Sequence, residues 1–174
     1  MNRIAFCQKQ HSTAKNLDFF QADGADLSRF PAKTFDVVIM NMVVLNIPSL
    51  IKIKKVFKET ARVLKAKGQF IFSNLNPLCI MIKKTACETQ THLKDFSYFQ
   101  DGSKYRSQVR LSDNSQMEFV DVHWTLESLT GAASSAGFYL KRIIEPRPIK
   151  NPPKCLVNYT IAEHIIFDYQ KINS

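Results

Sequence analysis

Three short polar residues stand directly after apolar runs: Asp23 after LDFFQA, Asn41 after FDVVIM and Asn74 after QFIFS. Each carries a carboxylate or amide able to hydrogen-bond a ligand. His123 and Trp124 adjoin just ahead of a helical pattern. There an imidazole can take a proton from a hydroxyl or amine, and an indole can stack on a flat ligand. Asn76 lies two residues beyond Asn74. Phe96, Tyr98, Phe99 and Tyr105 gather before and on a hairpin pattern, where aromatic rings can enclose a small substrate and exclude water. The same residues have plainer uses. Asp and Asn favour turns, a His beside a Trp often packs or caps, and hairpin aromatics often cover a sheet. The case for a site is positional. Three polar residues share the carboxyl ends of predicted strands, where open α/β sheets bind ligands.

The elements that must hold these residues are legible from periodicity. Phe35 to Met40 is a near-continuous apolar run, the pattern of a parallel strand buried on both faces. Pro48 and Ser49 open a helix with Ile53, Phe57, Ala61 and Leu64 at helical spacing, and Gly68 is expected to stop it. Gln69 to Ser73 is the next strand, giving a strand–helix–strand crossover unit. Upstream, residues 2–10 predict a short helix, and LDFFQ (Leu17 to Gln21) a short strand ended by the turn Ala22-Asp23-Gly24. Downstream, YRSQVRL and MEFVDV flank the polar turn at Ser112 to Ser115, an antiparallel hairpin over 104–122. Thr125 caps the helix LESLTGAASSA, with Glu127 in its first turn. Gly137 closes that helix, and FYLKRII is a strand. The last strand is expected from Thr160 to Tyr169. Its Glu163, His164 and Asp168 give the partial alternation of an antiparallel strand near a sheet edge. The sum is an α/β sheet with a partly antiparallel end.

Composition narrows the function classes. The chain of 174 residues, 45% hydrophobic and 22% charged, is that of one globular domain. Its formal charge of +9 is spread along the chain, without an arginine-rich tract or nucleic-acid motif. The densest basic stretch, Ile51 to Lys67, reads as the wet face of a helix. Cys7, Cys79, Cys87 and Cys155 form no CxxC pair, and with no secretory signal they read as reduced thiols of a cytoplasmic protein. The four scattered histidines lack HExxH spacing, so no metal site is expected. No apolar run is long enough to span a bilayer.

Placed together, QADGADLSRFPAKTFDVVIMNMVVLNIP and KKVFKETARVLKAKGQFIFSNLNP resemble the middle of a class I S-adenosylmethionine-dependent methyltransferase, most nearly the branch called type 11. HWTLESLTGAASSAGFYLKRIIEPRP is similar to that branch's last helix and following strand. The resemblance runs from about Leu17 to Tyr169. It implies a Rossmann-like sheet of family order 3-2-1-4-5-7-6 with strand 7 antiparallel, and a small antiparallel hairpin cap over the acceptor. LDFFQ would be strand 3, FDVVIM strand 4, QFIFS strand 5, FYLKRII strand 6 and TIAEHIIFDY strand 7. It also implies roles. Asp23 and Gly24 would meet the adenine of S-adenosylmethionine, and Asn41, Met42 and Val43 would line the cofactor. Asn74, Asn76, Tyr98, Tyr105 and Trp124 would face a small-molecule methyl acceptor, and His123 would be the acceptor-side base. Many relatives place a histidine where this chain has Asn76.

The family's glycine-rich loop after strand 1 and its ribose-binding acid after strand 2 have no counterpart here. The five glycines, at positions 24, 68, 102, 131 and 137, form no GxGxG. The resemblance therefore implies a single, partial methyltransferase domain over 1–174, N-terminally truncated relative to the family and lacking its first two strands. Tight cofactor binding by this chain is not expected, because methyl transfer depends on holding the sulfonium in line with its acceptor. An unpaired edge on the strand FDVVIM would invite self-association. Three readings stay open: a methyltransferase whose complete form is the enzyme, a noncatalytic partner-binding or regulatory remnant, and a basic nucleic-acid binding module.

Overall fold

The computed structural model describes residues 3–78, 96–110, 113, 115–147 and 161–172. Cys79, Cys87, Cys155 and Thr160 lie outside the described residues, as do parts of the 112–115 turn. Helix α1 spans Arg3–Gln10. Strand β1 (Phe35–Asn41) is followed by a single 3-10 turn (Val44–Asn46), helix α2 (Leu50–Val63) and strand β2 (Leu64–Leu75). The hairpin strands are β3 (Lys104–Arg110) and β4 (Gln116–Val122). Helix α3 (Leu126–Ser135), strand β5 (Phe138–Ile144) and strand β6 (His164–Lys171) complete the order.

The main sheet has the order β1-β2-β6-β5, and the hairpin forms a second sheet of two strands. β1 pairs with β2 in parallel, while β6 runs antiparallel to both β2 and β5. This is the 4-5-7-6 portion of the order implied by the resemblance. Among the described residues, no strand pairs with the other edge of β1. Val37 and Ile39 point from that strand into solvent, Ile39 being 69% exposed, so β1 is covered on one face only and not on both as its apolar run suggested: among the described residues nothing packs over its second face.

Strand alternation sorts the side chains. Met40, Phe70, Phe72, Phe167 and Tyr169 turn to one face of the sheet, where Ile53, Val56, Phe57 and Ala61 of α2 and Leu129, Ala132 and Ala133 of α3 complete the core. The rings interlock there. Phe72 lies 4.5 Å from Phe167 and 5.3 Å from Phe57, and Phe70 lies 5.1 Å from Phe138, centroid to centroid. These are the offset and edge-on separations aromatic rings prefer.

Three further expectations need correction. LDFFQ forms no strand: Leu17 to Gln21 are irregular, because a strand needs a hydrogen-bonded neighbour and none lies beside this segment among the described residues. Instead the loop is tied to α2. Arg62 donates to the carbonyls of Phe30 (3.0 Å) and Leu27 (2.8 Å), and the Leu27 amide donates to Glu59 (2.9 Å). Arg62 is thus a structural clamp, not part of a merely solvated face. Secondly, Gly68 does not stop α2. The helix ends at Val63, and β2 begins at once with a bulge between the pairs Phe35–Leu64 and Val37–Gln69. Lys67 takes the left-handed backbone there (φ 59°). Thirdly, the last strand spans His164–Lys171 rather than the expected Thr160 to Tyr169; its place one strand in from the edge formed by β5 is the one the implied order gives.

The capping of α3 is as expected and more elaborate. The Thr125 hydroxyl accepts from the Ser128 amide at 3.1 Å. Asp101 accepts the Thr125 amide at 2.7 Å and bonds the Ser128 hydroxyl, while the Tyr98 hydroxyl accepts the Leu126 amide at 3.2 Å. Gly137, at φ 87°, ends the helix in a conformation only glycine adopts freely. Thr125→Ala should lower stability by about 1 kcal/mol. A urea midpoint unchanged from the native protein would show that Asp101 caps the helix alone.

Candidate active site

The carboxyl ends of β1 and β2 adjoin. Asn41 is the Cα partner of Ser73, and the Ser73 hydroxyl donates to the Asn41 side-chain oxygen. That bond fixes the amide's orientation and leaves its NH2 without a partner among the described residues. Met42 follows in the left-handed region (φ 54°), costly for a side chain of its kind. It is held from both sides: its amide donates to Ser73, and Asn46 donates to its carbonyl at 3.1 Å. Val43 beyond it is exposed.

Asp23 and Gly24 reach the same end of the sheet along α2. Lys52, in the helix's first turn, donates to Asp23 at 2.8 Å, and the Ala25 amide donates to its other oxygen at 3.0 Å. Those bonds hold the Asp23 carboxyl below the usual carboxylate range, so it is ionised and acceptor-only at neutral pH. Gly24 rests 3.6 Å, at the position a Cβ would take, from Val56.

Asn74 is not brought beside Asn41. Successive strand residues alternate, so Asn74 turns with Phe70 and Phe72 to the helix-covered face, while Ser73 and Asn41 turn to the other. Asn74 is buried, and its side-chain oxygen has no partner. Asn76 is buried just beyond the strand end. Its amide group donates to Glu145 at 3.4 Å and its oxygen accepts the Leu78 amide at 3.1 Å.

His123 and Trp124 prolong β4 and point to opposite sides. The Trp124 indole N–H donates to the Ile47 carbonyl at 3.2 Å, seating the hairpin on the segment that follows β1. The His123 ring lies on the other side, edge-on to Phe96 (4.7 Å) and Tyr98 (5.5 Å). Its Nε2 donates to the Tyr98 carbonyl at 2.8 Å, because a carbonyl only accepts. Nδ1 is buried and has no partner among the described residues. Tyr105 is buried on β3, opposite Asp121 on β4.

Asp101, Ser107 and Asp121 carry no recognisable motif, yet they shape this region. The signals available were an Asp-Gly turn at 101–102 and a lone charge inside the apolar run FVDVHW. Burial pushes the Asp121 carboxyl above its ordinary value, an effect the nearby Ser107 hydroxyl partly offsets. The unfolded chain loses this proton at lower pH than the folded one. Between those two values the native state holds more protons, so stability falls as pH rises through the window. Asp121→Asn should remove that slope and raise stability at neutral pH. Urea midpoints at about pH 4 and about pH 7 test this. A variant weaker than the native protein at neutral pH would show that the carboxylate is a net stabiliser.

A parallel β–α–β unit continued by a reversed strand, with polar groups at the strands' carboxyl ends, defines an α/β fold of the class I methyltransferase kind. Residues 1–72 match the sequence model of the methyltransferase domain family. No curated protein matches the chain significantly. Solved structures share the fold. A Listeria monocytogenes protein assigned to the S-adenosylmethionine-dependent methyltransferases is 20% identical, with a TM-score of 0.72 over 98% of this chain and 76% of its own. Such a methyltransferase from Clostridium acetobutylicum is 14% identical, with a TM-score of 0.66 over 100% of this chain and 73% of its own. One from Mesorhizobium loti is 13% identical, with a TM-score of 0.66 over 98% and 77%. The sequence match covers the first 72 residues, and the fold is shared with class I S-adenosylmethionine-dependent methyltransferases. Among the described residues, no cluster of His, Cys, Asp and Glu has the arrangement to hold a metal ion, and no helix is long and apolar enough to cross a membrane.

Proposed function

We propose that this chain provides the adenine-side and acceptor-side walls for S-adenosylmethionine-dependent methyl transfer to a small molecule. The observation that carries this reading is the end of β1. Ser73 orients the Asn41 amide, and the strained Met42 is pinned beside it at the carboxyl edge of a methyltransferase-type sheet. Residues fit the cofactor chemically. The Asn41 NH2 is a donor without a partner among the described residues, and Asp23 is an ionised acceptor suited to an exocyclic amino group. When bound, the cofactor supplies an electrophilic methyl group. The chain's own part is to hold it at Asp23, Gly24 and Asn41 to Val43, and to present the acceptor beneath the hairpin.

The test is a titration with S-adenosylhomocysteine followed by amide chemical shifts, which detects weak as well as tight binding. Shifts concentrated at Asp23–Gly24 and Asn41–Val43 are expected. An unperturbed spectrum at millimolar ligand, or shifts confined to the lysines of α2, would overturn the reading.

A further inference from the structure

Lys52 and Asp23 lie 29 residues apart in the chain, yet the Lys52 ammonium donates to Asp23 Oδ2 at 2.8 Å. The Asp23 loop does not need this bond to stay in place. Arg62 and Glu59 already tie Phe30 and Leu27 to α2, and the Ala25 amide holds the other Asp23 oxygen at 3.0 Å. Nor is the pair a strong stabiliser of the fold. The side chains of Lys52 and Asp23 are 45% and 55% exposed, and ion pairs so open to water contribute little. What the pair does is set a donor beside an acceptor at the carboxyl end of the sheet.

An ammonium carries three N–H groups. One of those on Lys52 meets Asp23, and the others have no partner among the described residues. Asp23, held below the usual carboxylate range chiefly by the Lys52 bond, only accepts. A carboxylate alone reads a base poorly, because it takes a ring N–H as readily as an exocyclic amino group. Adenine differs in setting its amino donor between two accepting ring nitrogens, N1 and N7. An acceptor with a donor fixed next to it complements that edge.

We propose that Lys52 is a specificity-determining residue for the cofactor: while Asp23 accepts the adenine amino group, Lys52 donates to a ring nitrogen beside it. The inference rests on the methyltransferase reading and adds to it a second base-reading side chain, supplied by α2.

The test compares the native chain with Lys52→Met, each titrated with S-adenosylhomocysteine and with its 1-deaza and 7-deaza analogues, in which N1 or N7 becomes C–H. Amide chemical shifts give the affinities, so no turnover is needed. Lys52→Met should keep a urea midpoint close to the native one and bind S-adenosylhomocysteine about threefold to tenfold more weakly. In the native chain one of the two analogues should show a similar loss. In Lys52→Met that same analogue should lose nothing further, because the donor it would miss is already gone. Unchanged S-adenosylhomocysteine affinity in Lys52→Met overturns the proposal. So do native affinities equal for all three ligands, and an analogue loss as large in the variant as in the native chain. Each of these leaves the methyltransferase reading in place. A native chain whose Asp23–Gly24 and Asn41–Val43 amides ignore S-adenosylhomocysteine overturns that reading, and this inference with it.

Discussion

Phe72→Ala is expected to destabilise the protein by about 3–5 kcal/mol, a large part of the roughly 5–15 kcal/mol that holds a domain together. Phe72 is fully buried at the middle of β2. Its ring meets Phe57 from α2, Phe70 from its own strand, and Phe167 and Tyr169 from β6. Alanine would remove the one side chain that touches all of them, and the β-sheet backbone cannot collapse to fill the gap. A melting temperature lower by roughly 6–20 °C corresponds to that loss in a chain of this size. A shift of a degree or two would mean that the ring cluster repacks, and that the sheet rather than the rings organises the core.

The second large effect is expected at Gly68. A Cβ there would sit 2.9 Å from the Lys65 carbonyl oxygen, 3.0 Å from a Leu64 methyl and 3.2 Å from the Asp36 carbonyl oxygen. Two of these are backbone atoms of the bulge that lets β2 leave α2 and still align with β1. They cannot move aside without shifting the pairing that begins at Val37–Gln69. Gly68→Ala should cost about 1–3 kcal/mol and Gly68→Val more. Because Asn41 is aligned by the same ladder, the valine variant should also perturb amide shifts at Asn41 and Ser73. Normal stability in both variants would show that the bulge relaxes freely.

Gly68 also shows where sequence reading reaches its limit. A glycine soon after a helical pattern is a reasonable stop, yet the helix had ended five residues earlier and the glycine answers to the bulge of its own strand at Leu64 and Lys65 and to the Asp36 carbonyl of the strand beside it. The bulge exists only because β2 pairs with β1, chain distant in sequence. The same holds for LDFFQ, whose composition favours a strand but whose strand needs a neighbour. The run from Phe35 to Leu75 was legible because burial imposes a local period, and the caps at Thr125 and Gly137 because they satisfy local backbone groups. The likeness of Asn41 and Asn74 in sequence hid their separation, since one residue of register sends a side chain to the opposite face. Asp121 and Ser107 became a cluster only through cross-strand pairing.

The position of β6 has a consequence for how the protein is made. Residues 164–171 are the last strand in the sequence, yet they lie between β2 and β5. β2 and β5 meet through side chains such as Phe70 and Phe138 but share no backbone pairing, so each lacks a partner on its facing edge while β6 is missing. During synthesis the unit from β1 to β2 and the segment from α3 to β5 emerge first and must wait, their facing edges unsatisfied. The sheet closes only when a strand made late slides between parts made early. A ribosome-bound chain that still conceals Phe167 and Tyr169 should therefore remain open to proteases, whatever helix it has already formed.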